Sequence, residues 1–268
     1  MKTIRIAVSG AAGRMGRTLL GLIDAADDLA LAGAWVRDED GVAGRAVADW
    51  AGCGADVVAT TDPADAFAGA DVVVDFTLAS ATDTVLACVC DGRVPLVLGT
   101  TGLEDHTLQH LRQVAAVVPI VCERNMSAGV HVLSALVRAA AAALSDDYDI
   151  EIVEAHHRDK VDAPSGTALK LGEIAAAARG VNAADAAVRV RDGHTGARRR
   201  GSIGYAAVRA GGIVGEHTVI LASDTERLEL SHRTDDRRVF AAGALRAARW
   251  AGGREPGLYS MSDVLGLG

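Results

Sequence analysis

The sequence contains no uninterrupted apolar run long enough to cross a bilayer, which excludes a membrane-spanning helix. Its only basic run is Arg198-Arg199-Arg200, in a chain of formal net charge −8. Nucleic-acid binding wants a basic face for the phosphates, so this balance argues against nucleic acid as the main partner. With Gly196 and Gly201 flanking it, the arginine run reads as a solvated loop rather than a phosphate contact. The four cysteines, Cys53, Cys88, Cys90 and Cys122, form no CxxC pair and have no histidine at metal-ligand spacing. That pattern predicts buried free thiols in a reducing compartment, with neither disulfides nor a metal. Met1-Lys2-Thr3-Ile4 runs directly into a strand pattern, which leaves no room for a signal peptide and predicts a cytoplasmic protein. Internal repeats and low-complexity linkers are also missing.

What is present is a chain of 268 residues, half of them apolar, enough for one large or two modest domains. Its first half alternates strand and helix patterns. Thr3 to Ser9 reads as a strand, Arg14 to Ala25 as a helix burying Leu19, Leu20, Leu22 and Ile23, and Leu29 to Val36 as a second strand. Asp71 to Phe76, Pro95 to Gly99 and Pro119 to Cys122 are short apolar runs suited to buried parallel strands, with helices near Ala81 to Asp91 and Glu104 to Ala116. These repeated β-α units predict a Rossmann-like doubly wound parallel sheet. After Asn125 the pattern changes. Ala128 to Leu144 and Ser165 to Ala178 read as helices, while Asp149 to Ala155, Val188 to Arg191, Ile203 to Arg209, His217 to Ala222 and Arg227 to Ser231 read as strands. Strands without intervening helices predict a second, α+β domain with a mixed or antiparallel sheet. The last helix, Arg237 to Trp250, resumes the α/β style. The expected division is residues 1–126 with 237–268, and residues 127–236.

Gly10-Ala11-Ala12-Gly13-Arg14-Met15-Gly16 lies between the first strand and the first helix. A dinucleotide site needs a tight turn, close approach of the pyrophosphate, and a helix N-terminus that favours negative charge. Gly10 can supply the turn, Gly13 the approach and Gly16 the packing of helix on strand; the bland alternative is a structural β-α turn. The ribose-reading position falls at Val36, which cannot accept hydrogen bonds from hydroxyls, and the next residue, Arg37, can pair with a 2′-phosphate. NADPH is therefore favoured over NADH, with dual use open and a plain surface role for Arg37 as the alternative. Gly99-Thr100-Thr101-Gly102 and Asn125-Met126-Ser127 each follow a strand on the same sheet edge, and Ser127 is also a credible helix cap.

Glu154 to Ala168 crowds His156, His157, Arg158 and Lys160 together before a turn and a new helix. Like charges repel and are costly to bury, so the cluster makes sense around an anion. A histidine suits proton transfer near neutral pH, and Lys160 can hold a carboxylate or donate a proton. Ser165 would cap the helix, leaving the N–H groups of Gly166 and Thr167 for a carboxylate. Adjacent strand residues face opposite ways, so His156 and His157 both reach a ligand only if the strand has ended there.

Taken together these segments, with Asp75-Phe76-Thr77, the run from Arg209 to Val219 and Gly257-Leu258-Tyr259, resemble the dihydrodipicolinate reductases nearly end to end. The resemblance implies an NADH- or NADPH-dependent reductase of a cyclic amino-dicarboxylate in lysine biosynthesis. By that resemblance His156 and Lys160 handle protons, while His157, Gly166 and Thr167 bind substrate. Gly10, Ala11, Ala12, Gly13, Arg14, Met15, Arg37, Gly99, Thr100, Thr101, Glu123, Arg124, Asn125 and Met126 match cofactor contacts. It further implies a homotetramer joined through the second domain's sheets. Departures from the family pattern are Val36 in place of an acidic residue, Glu123-Arg124 in place of a small or apolar pair, Met126 in place of phenylalanine, and Gly212 in place of aspartate. Another amino-acid dehydrogenase and a silent NAD(P)-sensing protein are the rival readings.

Overall fold

Ile6, Ala7 and Val8 are completely buried, because their strand lies inside the first of two sheets with helices on both faces. The structure is a computed structural model that describes residues 3–53 and 56–267, so Met1 and Lys2 of the expected strand entry lie outside the described residues. The chain forms two compact units: residues up to Ser127 with those from Arg238 onward, and Ala128–Arg237. In chain order the first unit contains β1 (Ile4–Ser9), α1 (Arg14–Asp24), β2 (Leu29–Trp35), α2 (Ala48–Ala51), β3 (Ala59–Thr60), α3 (Pro63–Phe67), β4 (Val72–Asp75), α4 (Thr82–Gly92), β5 (Leu96–Leu98), α5 (Asp105–Ala115) and β6 (Pro119–Cys122). The second unit contains α6 (Ala128–Ala143), β7 (Asp149–His156), α7 (Gly166–Ala178), α8 (Ala183–Ala186), β8 (Ala187–Val188), β9 (Ile203–Arg209), β10 (Gly215–Ala222) and β11 (Arg227–Thr234). Then α9 (Arg238–Ala251), β12 (Gly257–Tyr259) and α10 (Met261–Leu265) return to the first unit.

The first sheet has the order β12-β6-β5-β4-β1-β2-β3, and every pairing in it is parallel. Parallel strands need crossovers that place helices on both faces, which explains the uniformly apolar Val72, Val73 and Val74. Two apolar cores result. One packs Leu19, Leu20 and Ile23 of α1 and Ala244, Leu245 and Ala248 of α9 on one face; the other packs Val85, Leu86 and Val89 of α4 and Leu111 and Val114 of α5 on the opposite face. The second sheet has the order β11-β10-β7-β9-β8 and is mixed: β10 is antiparallel to β7 and β11, whereas β9 is parallel to β7 and β8. Ile150, Ile152, Val219 and Leu221 face Leu133 and Val137 of α6 and Leu171 and Ala175 of α7 in a single core. The fold is the expected α/β Rossmann-like sheet plus an α+β unit.

One expectation fails here and one holds only in part. The strand expected over Val188 to Arg191 ends at Val188, and the expected solvated loop keeps Arg199 and Arg200 exposed but draws Arg198 inward. Arg191 leaves the sheet to form two 2.7 Å bonds with the Glu151 carboxylate. Arg198, only 20% exposed, bonds Asp149 Oδ1 at 2.7 Å, Glu151 Oε1 at 3.0 Å, and the carbonyls of Ile150 and Ser202. Two carboxylates on one face of β7 therefore draw the following loop down onto the sheet. Gly204 makes room for them, since a Cβ there would lie 2.0 Å from Glu151 Oε2.

Candidate active site

β1 and β4 are the neighbours at which the strand order of the first sheet reverses, and open parallel sheets bind ligands beyond the carboxyl ends of such strands. A cleft of about 260 Å³ opens there, lined by Gly10, Gly13, Val36, Arg37, Asp40 and Phe76 among others. Gly10 adopts φ +77°, and a Cβ on it would press against Thr77 at 3.1 Å. Its N–H and that of Ala11 bond the Trp35 carbonyl, which pins the turn to β2. A Cβ on Gly16 would fall 2.2 Å from the Gly10 carbonyl, so glycine alone lets α1 lie against the turn. Behind Gly13, α1 has no side-chain cap, and the N–H groups of its first turn, beginning at Arg14 and Met15, are left to an anionic ligand or water. This uncapped, glycine-lined cradle fits a dinucleotide pyrophosphate.

The other expected nucleotide contacts sit in different settings. Arg37 is exposed on the cleft rim, bonded to Asp40 Oδ1 at 2.9 Å and also paired with Glu39. Thr100 is anchored inward: its Oγ1 donates to Asp75 Oδ2 at 2.6 Å. Asp75 is fully buried and also accepts from Ser9 Oγ and Thr77 Oγ1; burial pushes its carboxyl above the usual range. A Cβ on Gly99 would strike the Phe76 ring at 2.2 Å, so this glycine is required by packing whatever binds beside it. Thr101 is exposed, and Ala12 flanks the cradle. Glu123 and Arg124 lie just past β6, Asn125 Oδ1 accepts the Ser127 N–H at 2.9 Å, and Met126 is 1% exposed in the core, which leaves only its backbone for a ligand. Of the residues expected to contact the nucleotide, Gly10, Gly13 and Arg37 line the cleft itself.

The second unit holds the polar cluster. Glu154 follows Ile150 and Ile152 in phase on the helix-covered face of β7, and it is 1% exposed. Its carboxylate accepts from Arg209 Nη1 at 2.8 Å and Nη2 at 2.7 Å, and from the Ser165 N–H at 3.1 Å; His156 Nδ1 lies 2.6 Å away. Burial acts to raise the Glu154 pKa, but these donors outweigh it and hold the carboxyl below its usual range. His156, the last residue of β7, is pushed down by burial against the upward pull of Glu154. Gly215 gives its ring space, since a Cβ there would come within 3.2 Å of Nε2. His217 meets the His156 ring edge-on at 5.2 Å, and its Nε2 is 3.1 Å from Ser165 Oγ. Burial drives His217 down to about 4.

Because β7 ends at His156, the strict alternation stops there. The Lys160 N–H closes a turn onto the His157 carbonyl at 3.2 Å, and His157 Nε2 lies 3.4 Å from Arg237 Nη2. Lys160 Nζ bonds Asp162 Oδ1 at 2.8 Å. Ser165 caps α7 by accepting the Ala168 N–H at 3.2 Å, so Gly166 and Thr167 are its first two residues. A cationic turn and a helix N-terminus thus stand within one short segment, the chemistry that receives carboxylates.

The family model for the dihydrodipicolinate reductase N-terminus matches residues 4–126, and that for its C-terminus matches residues 129–265. The chain belongs to the dihydrodipicolinate reductase family. A 4-hydroxy-tetrahydrodipicolinate reductase of Methylocella silvestris is 49% identical over 269 residues, covering 100% of this chain and 99% of the relative. One from Brucella abortus is 48% identical, covering 98% of each. Among solved structures, the dipicolinate-bound dihydrodipicolinate reductase of Paenisporosarcina sp. TG-14 shares the fold at a TM-score of 0.78 and 22% identity, covering 96% of this chain and 97% of that one. An amine dehydrogenase of Mycobacterium smegmatis shares it at 0.61 and 14% identity, covering 96% and 95%. As a member of this family the chain is an oxidoreductase, and its first unit is a nucleotide-binding Rossmann fold.

Dihydrodipicolinate reductase motifs drew attention to His156 and Lys160, but the residues behind them went unassigned. Glu154, Arg209 and His217 are charged or polar at positions in phase with buried apolar residues of β7, β9 and β10. A polar residue in core phase is the signal that would have found them.

Proposed function

We infer that the chain reduces 4-hydroxy-tetrahydrodipicolinate to tetrahydrodipicolinate, with loss of water, in the diaminopimelate route to lysine. The observation that carries this reading is end-to-end similarity, at 49% identity, to a 4-hydroxy-tetrahydrodipicolinate reductase, with the His156–Lys160 turn and the capped N-terminus of α7 in one segment. A nicotinamide nucleotide supplies the hydride when bound. The cradle at Gly10, Ala11, Ala12, Gly13, Arg14 and Met15 would hold its pyrophosphate, with the loops at Gly99–Thr101 and Glu123–Met126 beside it.

The remaining steps belong to the protein. The N–H groups of Gly166 and Thr167 receive one substrate carboxylate at the α7 N-terminus, and His157 receives the other. Addition of a hydride to the conjugated imine leaves an electron pair on the ring, and His156 protonates it from the imidazolium form. Lys160, released from Asp162, neutralises the substrate's charge or supplies the second proton. Support for these roles comes from the 2.6 Å link between His156 and Glu154 and from the Ser165 cap. Residues 1–126 with 237–268 would act as the dinucleotide-binding domain and residues 127–236 as the substrate-binding and oligomerisation domain. In a cytoplasmic homotetramer the second units would join through their sheets, whose helix-free face carries Val153, Ala206, Val208 and Ile220 in register.

NADPH is the favoured nucleotide, with NADH also accepted. Arg37 can exchange Asp40 and Glu39 for a 2′-phosphate, while the same carboxylates can accept ribose hydroxyls from NADH. The test is turnover with NADPH deuterated at the transferring carbon. The expected product carries one deuterium on its ring; nucleotide oxidation without deuterium in the product would overturn the reading.

A further inference from the structure

Glu154 is the carboxylate that touches both halves of the substrate apparatus in the second unit. Oε2 lies 2.6 Å from His156 Nδ1, and Oε1 accepts the Ser165 N–H at 3.1 Å, one residue before the Gly166-Thr167 turn. A carboxylate 1% exposed survives as an anion only if its lone pairs are filled, and Arg209 fills two through a bidentate fork. Arg209 is itself tied down by donating to the Asp162 carbonyl at 2.6 Å. The hydrogen-bond directions follow. A carboxylate can only accept, so His156 must present a proton on Nδ1, and in the neutral ring Nε2 is the bare nitrogen. That bare nitrogen lies beside Gly215, where a Cβ would stand 3.2 Å from it.

We propose that Glu154 is a positioning residue for the reductase reaction: held by Arg209, it fixes His156 as the Nδ1–H form with Nε2 as the working nitrogen, and locks the carboxylate-binding end of α7 in register with it. The proposal rests on the reading of His156 as the proton donor and extends it to the groups that make that role possible. His217 completes the packing, meeting the His156 ring edge-on while its own Nε2 joins Ser165 Oγ. The charged and titratable groups facing His156 are Glu154 on its own strand, Arg209 on β9, His217 on β10 and Lys160 in the turn. Only Glu154 among them favours the imidazolium, so its charge is what keeps His156 able to carry a proton against burial and three cationic or titratable neighbours.

Two measurements test this. In Glu154→Gln the side chain keeps its shape and loses its charge. The expected result is a loss of about 10²-fold in kcat/KM for the dicarboxylate substrate, with the alkaline limb of the pH profile displaced about one unit toward lower pH and the KM for NADPH unchanged. A merely structural role would lower thermal stability and leave that limb in place, and such a result in folded Glu154→Gln would overturn the proposal. The second measurement needs neither turnover nor a variant of Glu154. In the intact protein labelled with ¹⁵N-histidine, with the His156 signal assigned by its loss in His156→Gln, the neutral ring should show its proton on Nδ1. A neutral ring protonated on Nε2 overturns the proposal even if the enzyme is active. Absence of turnover in the unaltered enzyme would instead refute the proposed reaction, while the tautomer still decides the role of Glu154.

Discussion

His217 makes the second unit acid-sensitive by an amount the structure allows to be worked out. Its ring is 4% exposed, Nε2 meets Ser165 Oγ, and Nδ1 has no hydrogen-bond partner among the described residues. Burial places its pKa at about 4, against an ordinary 6.5. A histidine whose folded pKa lies below its unfolded one binds protons more readily when unfolded. Stability is therefore full above pH 6.5 and is lost as the pH falls toward 4. At 1.36 kcal/mol per pH unit the whole effect approaches about 3 kcal/mol, and about 2.5 kcal/mol of it is gone by pH 4.5. His217→Gln removes the titration while keeping an acceptor for Ser165. Urea unfolding of both proteins at pH 7 and pH 4.5, at one fixed protein concentration, measures the difference. The stability of the variant relative to the parent should rise by about 2.5 kcal/mol between the two pH values. Equal losses in both proteins would show that His217 is not held neutral by burial.

Other consequences concern the site and the turn. His156→Ala and Lys160→Ala should each lower kcat by roughly 10²–10⁴-fold with little change in NADPH affinity, and a loss below tenfold in steady-state kinetics would count against proton transfer. Arg37→Ala should raise the KM for NADPH by about tenfold or more while leaving NADH nearly unaffected; equal weakening of both would make Arg37 scaffolding. Gly16→Ala forces a Cβ to within 2.2 Å of the Gly10 carbonyl, so α1 must move. A stability loss of about 1–3 kcal/mol together with weaker nucleotide binding is expected, and an unchanged urea midpoint would contradict the helix-on-turn packing.

Much of the parallel sheet was legible because short apolar runs bounded by turn residues leave few alternatives, as at Pro119–Cys122, where the expected and observed bounds coincide. Ser165 as the cap of α7 was likewise readable, since a cap depends on residues three apart. Long-range pairing was less legible. β12 is three residues long and exists only because Leu258 pairs with Ile120, far away in sequence. The anchoring of Arg198 was hidden for the same reason: its carboxylate partners, Asp149 and Glu151, are some fifty residues upstream. At the site, the histidines and Lys160 stood out by their crowding, whereas Glu154 and Arg209 did not. Their bonding is visible only once β7 and β9 lie side by side. Gly99 shows the converse, a ligand-loop glycine whose immediate requirement is the Phe76 ring.

The most direct test of the account is optical: NADPH oxidation by the purified chain, supplied with the freshly made condensation product of pyruvate and aspartate semialdehyde. The account predicts multiple turnovers that depend on that substrate and yield tetrahydrodipicolinate. A folded protein that binds NADPH and oxidises none of it under these conditions would contradict it.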